Sequence, residues 1–157
     1  MDVLDLRILD ALQKDATLSI AELAERVGLS HTPCWRRLKK LEESSVILGR
    51  KMLLDAKAVG LGVIVLAEVR LKVHDEAALE AFEASVRNCD EIVDCFTVSG
   101  DRDYQLRILV KNVMEYEVFL KKNLLHLPNV ASVNSVFVLK SVKQTTHIPL
   151  LRAQGVR

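Results

Sequence analysis

The stretch LSHTPCWRRLKKLEE, residues 29–43, brings four cations together within five positions: Arg36, Arg37, Lys39 and Lys40. Its apolar residues recur at helical spacing and fall on one face of a wheel turning about 100° per residue: Cys34, Leu38 and Leu41. The opposite face holds Thr32, Arg36, Lys39, Lys40 and Glu43, with Arg37 and Trp35 at its flanks. The pattern therefore predicts a helix with a buried face and a basic outer face.

The chain before this stretch predicts two more short helices. Ser19 and Glu22 are spaced as a capping box, Leu18 and Leu23 as a hydrophobic staple, and Gly28 can supply the left-handed residue that ends a helix. Only GLS separates that helix from the basic one. So short a turn makes the two helices cross steeply, which is the geometry of a helix-turn-helix.

The charge distribution favours DNA as the partner of the basic face. The chain has 157 residues and a net charge of only +1. Residues 1–30 hold three cations and six carboxylates, a net charge of −3, whereas residues 31–51 hold six cations and two carboxylates, a net charge of +4. A solvated surface helix also has a charged face, but here both glutamates follow the basic run. Arginine and threonine can read base edges in the major groove while lysines neutralise phosphates.

The next segment, SSVILGRKMLLDAKAVGLG at residues 44–62, looks like a wing followed by a linker. Val46 and Leu48 lead into a corner at Gly49, Arg50 and Lys51, which we interpret as a short extended wing with two more cations. Glycines at 60 and 62 mark a boundary. We therefore predict a DNA-binding domain over residues 1–50, a linker over 51–61 and a second domain over 62–157.

The second domain has the pattern of an α+β sandwich. VIVLAEVRLKV (63–73), IVDCFTV (92–98), YQLRILV (104–110) and VASVNSVFVLKSV (130–142) have the composition of strands, with clear alternation in the first and third. Asp75 can cap a helix carrying Leu79, Phe82 and Val86, and Asn112 with Glu115 can open another. The order βαββαβ predicts a ferredoxin-like fold with two helices on one sheet face.

The other sheet face is predicted to lack cover from within the chain. We expect it to carry apolar residues, namely Ile92, Phe96, Phe137 and Leu139. An uncovered apolar face indicates a partner surface, most simply a second copy of the chain.

Composition excludes several classes of protein. No apolar run approaches the roughly 18 residues of a membrane helix, and the amino end is acidic, so we expect a soluble, cytoplasmic protein. Three cysteines without CxxC spacing indicate reduced, packed thiols and no metal site. An enzyme that brings Cys95, Asp101 and His147 together is the alternative, but the histidines are scattered and no glycine-rich phosphate loop occurs. We expect no enzymatic activity and no cofactor.

Three stretches resemble the Lrp/AsnC (leucine-responsive/asparagine regulator, feast/famine) family of bacterial transcription regulators: LDLRILDALQKDATLSIAELAERVGLSHTPCWRRLKKLEESSVI, LLDAKAVGLG and TVSGDRDYQLRILV. The resemblance spans essentially the whole chain. It implies a winged helix-turn-helix and an ACT-like RAM domain that dimerises, assembles dimers further and binds an amino acid. HTPCWRRLKKLE with VILG most resembles the branch that senses cysteine and controls its degradation.

The resemblance maps the recognition helix to residues 30–41, with Thr32, Arg36 and Lys39 as leading contacts. With the flanking and wing cations, the candidate DNA-binding residues are Ser30, His31, Thr32, Trp35, Arg36, Arg37, Lys39, Lys40, Arg50 and Lys51.

The family's effector turn maps to SGDRD, so the candidate ligand residues are Gly100, Asp101, Arg102 and Asp103, with Thr145 and Thr146 from TTHIPL as further candidates. The turn offers carboxylates for a ligand ammonium and a cation or N–H groups for its carboxylate. The competing interpretation is a plain hairpin turn.

Two departures from the family pattern bear on these assignments. Ser45 stands where the family usually has glycine, so the exit of the recognition helix is expected to be strained or differently capped. Arg102 replaces a tyrosine, and it can bind a ligand carboxylate or pair with Asp101 or Asp103.

The mechanism that these features predict is linkage between effector and DNA. A homodimer, assembling further to a tetramer or octamer, presents two recognition helices to a pseudo-palindromic operator, and a small amino acid changes the assembly or its DNA affinity. The alternative is a small-molecule sensor whose helix-turn-helix acts through protein–protein interaction.

Overall fold

A computed structural model describes residues 1–150. The chain forms two units: Met1–Met52 together with the chain from Lys143, and Leu53–Val142. The predicted second domain extended to residue 157, but residues 143–150 group with the helical unit. Contacts made by Ile148 and Leu150, given below, are the physical reason.

The helical unit contains α1 (Val3–Lys14), α2 (Ile20–Val27) and α3 (His31–Glu43), which confirms the predicted helix-turn-helix. The capping box is present: Ser19 Oγ accepts the Glu22 N–H, and a Glu22 carboxylate oxygen accepts the Ser19 N–H at 2.8 Å. Gly28 ends α2 in the left-handed region, with φ 74°. The core joins residues from all three helices: Ile8, Leu9, Ala11, Leu23, Ala24, Val27, Cys34, Leu38 and Leu41.

Helix α3 ends in the same hydrogen-bonded motif as α2, but with serine in place of glycine. The Val46 N–H donates to Leu41 O at 3.1 Å and the Ser45 N–H to Glu42 O at 3.1 Å, the two bonds of a Schellman motif. The left-handed position of that motif is Ser45, with φ 56°. The exit was expected to be strained or differently capped; the cap is the ordinary motif, with a serine in the left-handed position that usually belongs to glycine.

The predicted wing does not pair as a strand. Within residues 1–150 the first strand begins at Val63, and Leu48 to Lys51 are exposed. An extended segment becomes part of a sheet only when its N–H and C=O groups find a ladder partner. Residues 48–51 have none in the single chain that the structure describes.

The second unit confirms the predicted βαββαβ order: β1 (Val63–Leu71), α4 (Glu76–Arg87), β2 (Ile92–Thr97), β3 (Tyr104–Val110), α5 (Val113–Lys122) and β4 (Val130–Phe137), with a short 3₁₀ turn at Leu124–His126. The strands pair antiparallel in the order β2-β3-β1-β4. Both helices contribute to one core against the inward residues of β1 and β3.

The prediction for the uncovered sheet face was wrong for two of its four residues. Ile92 pairs with Ile108 and Phe137 with Val65, so both lie on the face that the helices cover. Phe137 packs edge-on against Tyr116, with ring centroids 5.5 Å apart. A bulge between Ile92 and Asp94 reverses the alternation within β2, so Phe96 points to the open side while Ile92 does not.

The open face of the sheet mixes apolar and polar side chains. Its apolar part includes Leu66 and Val136, which pair with each other, and Phe96, which is 58% exposed. Its polar part includes Glu68, Asn134 and Arg107. Leu139, the fourth predicted residue, lies beyond β4 and is also exposed.

Candidate DNA-binding surface and ligand turn

The outer face of α3 is a row of exposed polar side chains, as the helical wheel predicts. Cys34, Leu38 and Leu41 are buried, while Thr32, Arg36, Lys39 and Lys40 are exposed. Arg36 and Lys40 make no side-chain hydrogen bond or ion pair within residues 1–150. The structure thus brings the central predicted residues together on one surface.

The first turn of α3 adds His31 and Ser30 to this surface. Ser30 is the N-cap residue, with extended backbone, and its hydroxyl makes no capping bond. Unpaired N–H groups at a helix amino end attract anions, and the helix dipole adds to that attraction. This end of α3 can therefore accept a phosphate beside the basic row.

Arg37 differs from its neighbours because it pairs inside the protein. Its Nη1 lies 2.8 Å from Asp2 Oδ2 and 2.7 Å from Asp5 Oδ1, at the start of α1. The Asp5 N–H, followed by the Arg37 guanidinium, lowers the pKa of Asp2. The two carboxylates raise the pKa of Arg37. These bonds tie α3 to the amino end of α1, a contact that the sequence pattern did not predict.

Trp35 lies beside the basic row, not in the core. It is 46% exposed, and Lys39 Nζ lies 5.3 Å from its ring centroid, within cation–π range. Lys39 also approaches Glu43 at 3.7 Å. Arg50 and Lys51 are exposed in a segment without regular structure.

The candidate ligand turn joins β2 to β3. Val98 N–H donates to Asp103 O at 3.0 Å, and Gly100 has a φ of 117°, which suits glycine. Of the two alternatives for Arg102, pairing with Asp101 or Asp103 is not what the structure has: its Nε lies 3.6 Å from a carboxylate oxygen of Glu68 on β1. Asp101 is exposed and has no polar partner within residues 1–150.

Asp103 is used by the fold itself. Its Oδ2 accepts the Leu71 N–H at 2.7 Å, its Oδ1 lies 3.0 Å from His74 Nε2, and its own N–H donates to Val69 O at 2.9 Å. The side chain therefore satisfies a backbone donor where β1 ends. The Asp103 carboxylate thus bonds to β1 and not to the backbone of its own turn, and Asp101 is left as the available carboxylate.

The turn is followed by Tyr104, a buried tyrosine at the start of β3. Tyr104 donates its hydroxyl to Glu83 Oε1 on α4 at 3.0 Å, and burial together with that bond raises its pKa to about 12. A cavity of about 260 Å³ opens beside it, lined by Glu83, Val86, Arg87, Cys95, Thr97 and Tyr104. Sequence reasoning missed this pair, although a tyrosine at a buried strand position requires a hydrogen-bond partner.

The two threonines belong to the other unit. Thr145 and Thr146 lie in the segment that groups with the helices, and Thr145 Oγ1 accepts the His147 N–H at 3.1 Å. Within a single described chain they are thus in a different unit from residues 100–103.

The three thiols differ in exposure: Cys34 is buried, Cys89 is half-buried and Cys95 is exposed. Burial raises the pKa of Cys34, Cys89 and Cys95. Across residues 1–150 no three His, Cys, Asp or Glu side chains cluster as metal ligands. No helix in the same range combines the length and apolar character of a membrane span.

Comparison with known proteins places both units in one family. The AsnC-type helix-turn-helix domain matches residues 1–42, and the Lrp/AsnC ligand binding domain matches residues 64–148. The proline dehydrogenase transcriptional activator of Rhizobium radiobacter is 38% identical over 145 residues, 92% of this chain and 93% of that protein. The DNA-binding transcriptional activator DecR of Escherichia coli is 33% identical and covers 96% of this chain and 99% of that protein.

Solved structures agree with this assignment. The transcriptional regulator NMB0573 of Neisseria meningitidis, in complex with L-Met, is 37% identical with a TM-score of 0.92 over 98% of this chain and 99% of that one. An AsnC family regulator of Agrobacterium tumefaciens is 41% identical with a TM-score of 0.91, over 96% and 97%. These relatives are named as regulators, not as enzymes. The chain belongs to the Lrp/AsnC family of DNA-binding transcription regulators.

Proposed function

We propose that this regulator binds a pseudo-palindromic operator in double-stranded DNA and that a small amino acid modulates its assembly or its DNA affinity. The observation that carries the proposal is the exposed basic row on α3, where Arg36 and Lys40 have no partner within residues 1–150. Cations that face solvent without internal partners can exchange water and counterions for phosphates.

The contacts divide into three kinds. Thr32 and Arg36 read base edges from the centre of α3, and Trp35 flanks them. Ser30, His31, Lys39 and Lys40 hold phosphates, as do Arg50 and Lys51 beyond the helix. Arg37 acts indirectly, because its bonds to Asp2 and Asp5 fix the orientation of α3.

The amino acid effector is proposed at the turn of residues 100–103. The Asp101 carboxylate is exposed and suits a ligand ammonium group. The Arg102 guanidinium can exchange its contact with Glu68, at 3.6 Å and partly exposed, for a ligand carboxylate. Gly100 lets the backbone approach a ligand closely, and Asp103 shapes the turn. Thr145 and Thr146 are secondary candidates. The complex of NMB0573 with L-Met supports an amino acid as the ligand class, and cysteine is a further candidate.

We propose that the protein is a cytoplasmic homodimer that assembles further to a tetramer or octamer. The open sheet face carries exposed Leu66, Phe96 and Val136, which a second copy would cover. A two-fold dimer would present two α3 helices to two half-sites. Coupling between effector and DNA would be about 1–3 kcal/mol and reciprocal.

The test is binding of the full chain to the intergenic DNA beside its own gene, at two salt concentrations and with each of the twenty amino acids. We expect sequence-specific binding that weakens steeply with salt and changes with one or two amino acids. Specific binding that no amino acid alters would refute effector control and leave the regulator standing. If the chain bound neither this DNA nor any other fragment of the genome with sequence specificity, the alternative would be favoured, a sensor that acts through protein–protein interaction.

A further inference from the structure

The segment of residues 145–150 is bound to α1 by a paired amide contact. Gln13 Nε2 donates to Ile148 O at 3.1 Å, and the Ile148 N–H donates to Gln13 Oε1 at 2.7 Å. Both polar atoms of one side chain thus bind both polar atoms of one backbone residue, 135 positions along the chain. This geometry imitates a pair of strand hydrogen bonds and recognises extended backbone.

Two further contacts lie on either side of this pair. His147 Nε2 lies 3.4 Å from Asp10 Oδ1, and Asp10 Oδ2 also accepts Lys14 Nζ at 2.7 Å. Leu150 packs against the apolar core of the helical unit. The surface of α1 therefore fits a short peptide that offers a histidine, an extended residue and a leucine in that order.

The segment also makes hydrogen bonds within itself. Thr145 Oγ1 accepts the His147 N–H at 3.1 Å, and the Leu150 N–H donates to Ile148 O at 2.8 Å across Pro149. Proline restricts the unfolded chain, so less conformational entropy is lost when this stretch is fixed. The same residues contact the helical unit through the His147 ring, the Ile148 backbone and the Leu150 side chain.

We propose that residues 145–150 form a C-terminal clamp that regulates the DNA-binding unit. Ten residues, 138–147, connect the end of β4 to Ile148, and they can span at most about 35 Å. The docked clamp therefore gives the helical unit a second short chain connection to the sheet unit, in addition to the one near residue 53. A second tether raises the effective concentration of one recognition helix at its half-site once the other has bound.

This inference rests on the proposed DNA-binding function, but the docking of the clamp can be tested without DNA. Gln13→Ala removes both amide bonds and keeps a good helix former in α1. Gln144→Ala is the matched control, because Gln144 is exposed and makes no hydrogen bond within residues 1–150. Hydrogen–deuterium exchange of the full-length chains should be about tenfold faster or more for residues 146–150 in Gln13→Ala, and unchanged in Gln144→Ala.

Leu150→Ala tests the apolar half of the clamp and should also speed exchange there. If neither Gln13→Ala nor Leu150→Ala changes exchange in residues 146–150, the clamp is not docked in solution and the proposal is overturned. Circular dichroism of both variants checks that the helix content of the chain is kept, so that faster exchange confined to this segment reports undocking.

The regulatory consequence is measured with an operator selected from random-sequence DNA and the same operator with one half-site scrambled. Undocking should weaken binding to the two-site DNA about three- to tenfold and leave the one-site DNA unchanged. Equal effects on both DNAs, or none on either, alongside faster exchange would overturn the regulatory role. No DNA binding by the parent chain would refute the proposed function instead, while the exchange measurement would still decide whether the clamp docks.

Discussion

The basic face of α3 and the turn of residues 98–103 both carry charged side chains that the sequence pattern assigned to binding, but the fold uses them differently. On α3, Arg36 and Lys40 have no polar partner within residues 1–150. In the turn, Asp103 satisfies the Leu71 N–H and approaches His74, and Arg102 approaches Glu68. Only Asp101 resembles the α3 cations in having no internal partner within the same range.

The presence or absence of an internal partner separates side chains that are available to a ligand or DNA from side chains that stabilise the fold. A side chain whose polar atoms face water can change partners at little cost, whereas one that satisfies a backbone donor cannot leave without exposing that donor. Arg37 illustrates the second group within α3, since it bonds to Asp2 and Asp5. Substitution should therefore weaken binding in the first group and stability in the second.

The largest expected effect is on DNA binding by Arg36→Ala/Lys39→Ala. A base contact and a phosphate contact together are worth about 3 kcal/mol, so affinity for the operator should fall roughly hundredfold and the salt dependence should become shallower. The control is Arg87→Ala/Lys121→Ala, which removes two exposed cations from the sheet unit. Fluorescence anisotropy with labelled operator measures both. Unchanged affinity in a folded Arg36→Ala/Lys39→Ala variant would refute these contacts.

The next largest effect is on the pH dependence of stability and concerns Tyr104, the buried tyrosine that follows the turn. Its pKa is raised to about 12 by burial and by the bond to Glu83, so folding favours the protonated phenol. The stability that this provides is complete below pH 10 and is lost as pH rises through 12, by roughly 2 kcal/mol. Urea unfolding between pH 8.5 and 11 should show a steeper decline for the parent chain than for Tyr104→Phe.

Tyr104→Phe is a sharp comparison because other groups that titrate in this range, Tyr116 among them, are present in both proteins and cancel in the difference. Equal slopes of unfolding free energy against pH would contradict the role assigned to Tyr104 as a buried, protonated donor.

A smaller effect distinguishes the two aspartates of the turn. Asp103→Ala leaves the Leu71 N–H without its acceptor and should lower the unfolding free energy by about 1–2 kcal/mol. Asp101→Ala, two residues away and exposed, should stay within about 0.5 kcal/mol of the parent chain. Asp101→Ala should instead lose amino acid binding, which calorimetry with the effector found in the amino acid screen measures. The reverse result would exchange the two roles.

The sequence predicted features that depend on neighbours within one element. The capping box at Ser19, the left-handed Gly28, the buried face of α3 and the βαββαβ order all follow from local spacing, and the structure confirms them. It did not predict the side of the sheet that Ile92 occupies, because a single bulge residue reverses alternation.

Contacts between residues far apart in the sequence could not be predicted from local patterns either. Arg37 pairs with residues 32 and 35 positions away, and Gln13 binds a residue 135 positions away. Nothing local distinguishes Arg37 from Arg36 except its angle on the helix. The exposed row on α3 could be predicted because it depends on spacing within one helix. The roles of Asp101 and Asp103 could not, because the two aspartates differ only in long-range hydrogen bonds.

The smallest expected effect tests the two ends of the helix-turn-helix against each other. α2 and α3 both end in a Schellman motif, with Gly28 at φ 74° in one and Ser45 at φ 56° in the other. A left-handed residue with a Cβ costs about 1 kcal/mol relative to glycine. Ser45→Gly should therefore raise the unfolding free energy of the helical unit, by about 0.5–1 kcal/mol because glycine also gains freedom in the unfolded chain.

Gly28→Ser is the mirror substitution and should lower the unfolding free energy by a similar amount. A Cβ at Gly28 would meet no atom within 4 Å apart from its own residue and its chain neighbours, so the expected cost comes from backbone strain alone. Neither change touches the exposed row on α3, and DNA affinity per folded molecule should stay within about twofold. If Ser45→Gly raised stability but weakened DNA binding more than twofold, the left-handed exit of α3 would itself be part of the DNA-binding site. Ser45 would then belong with the residues that bind partners as well as with those that stabilise the fold.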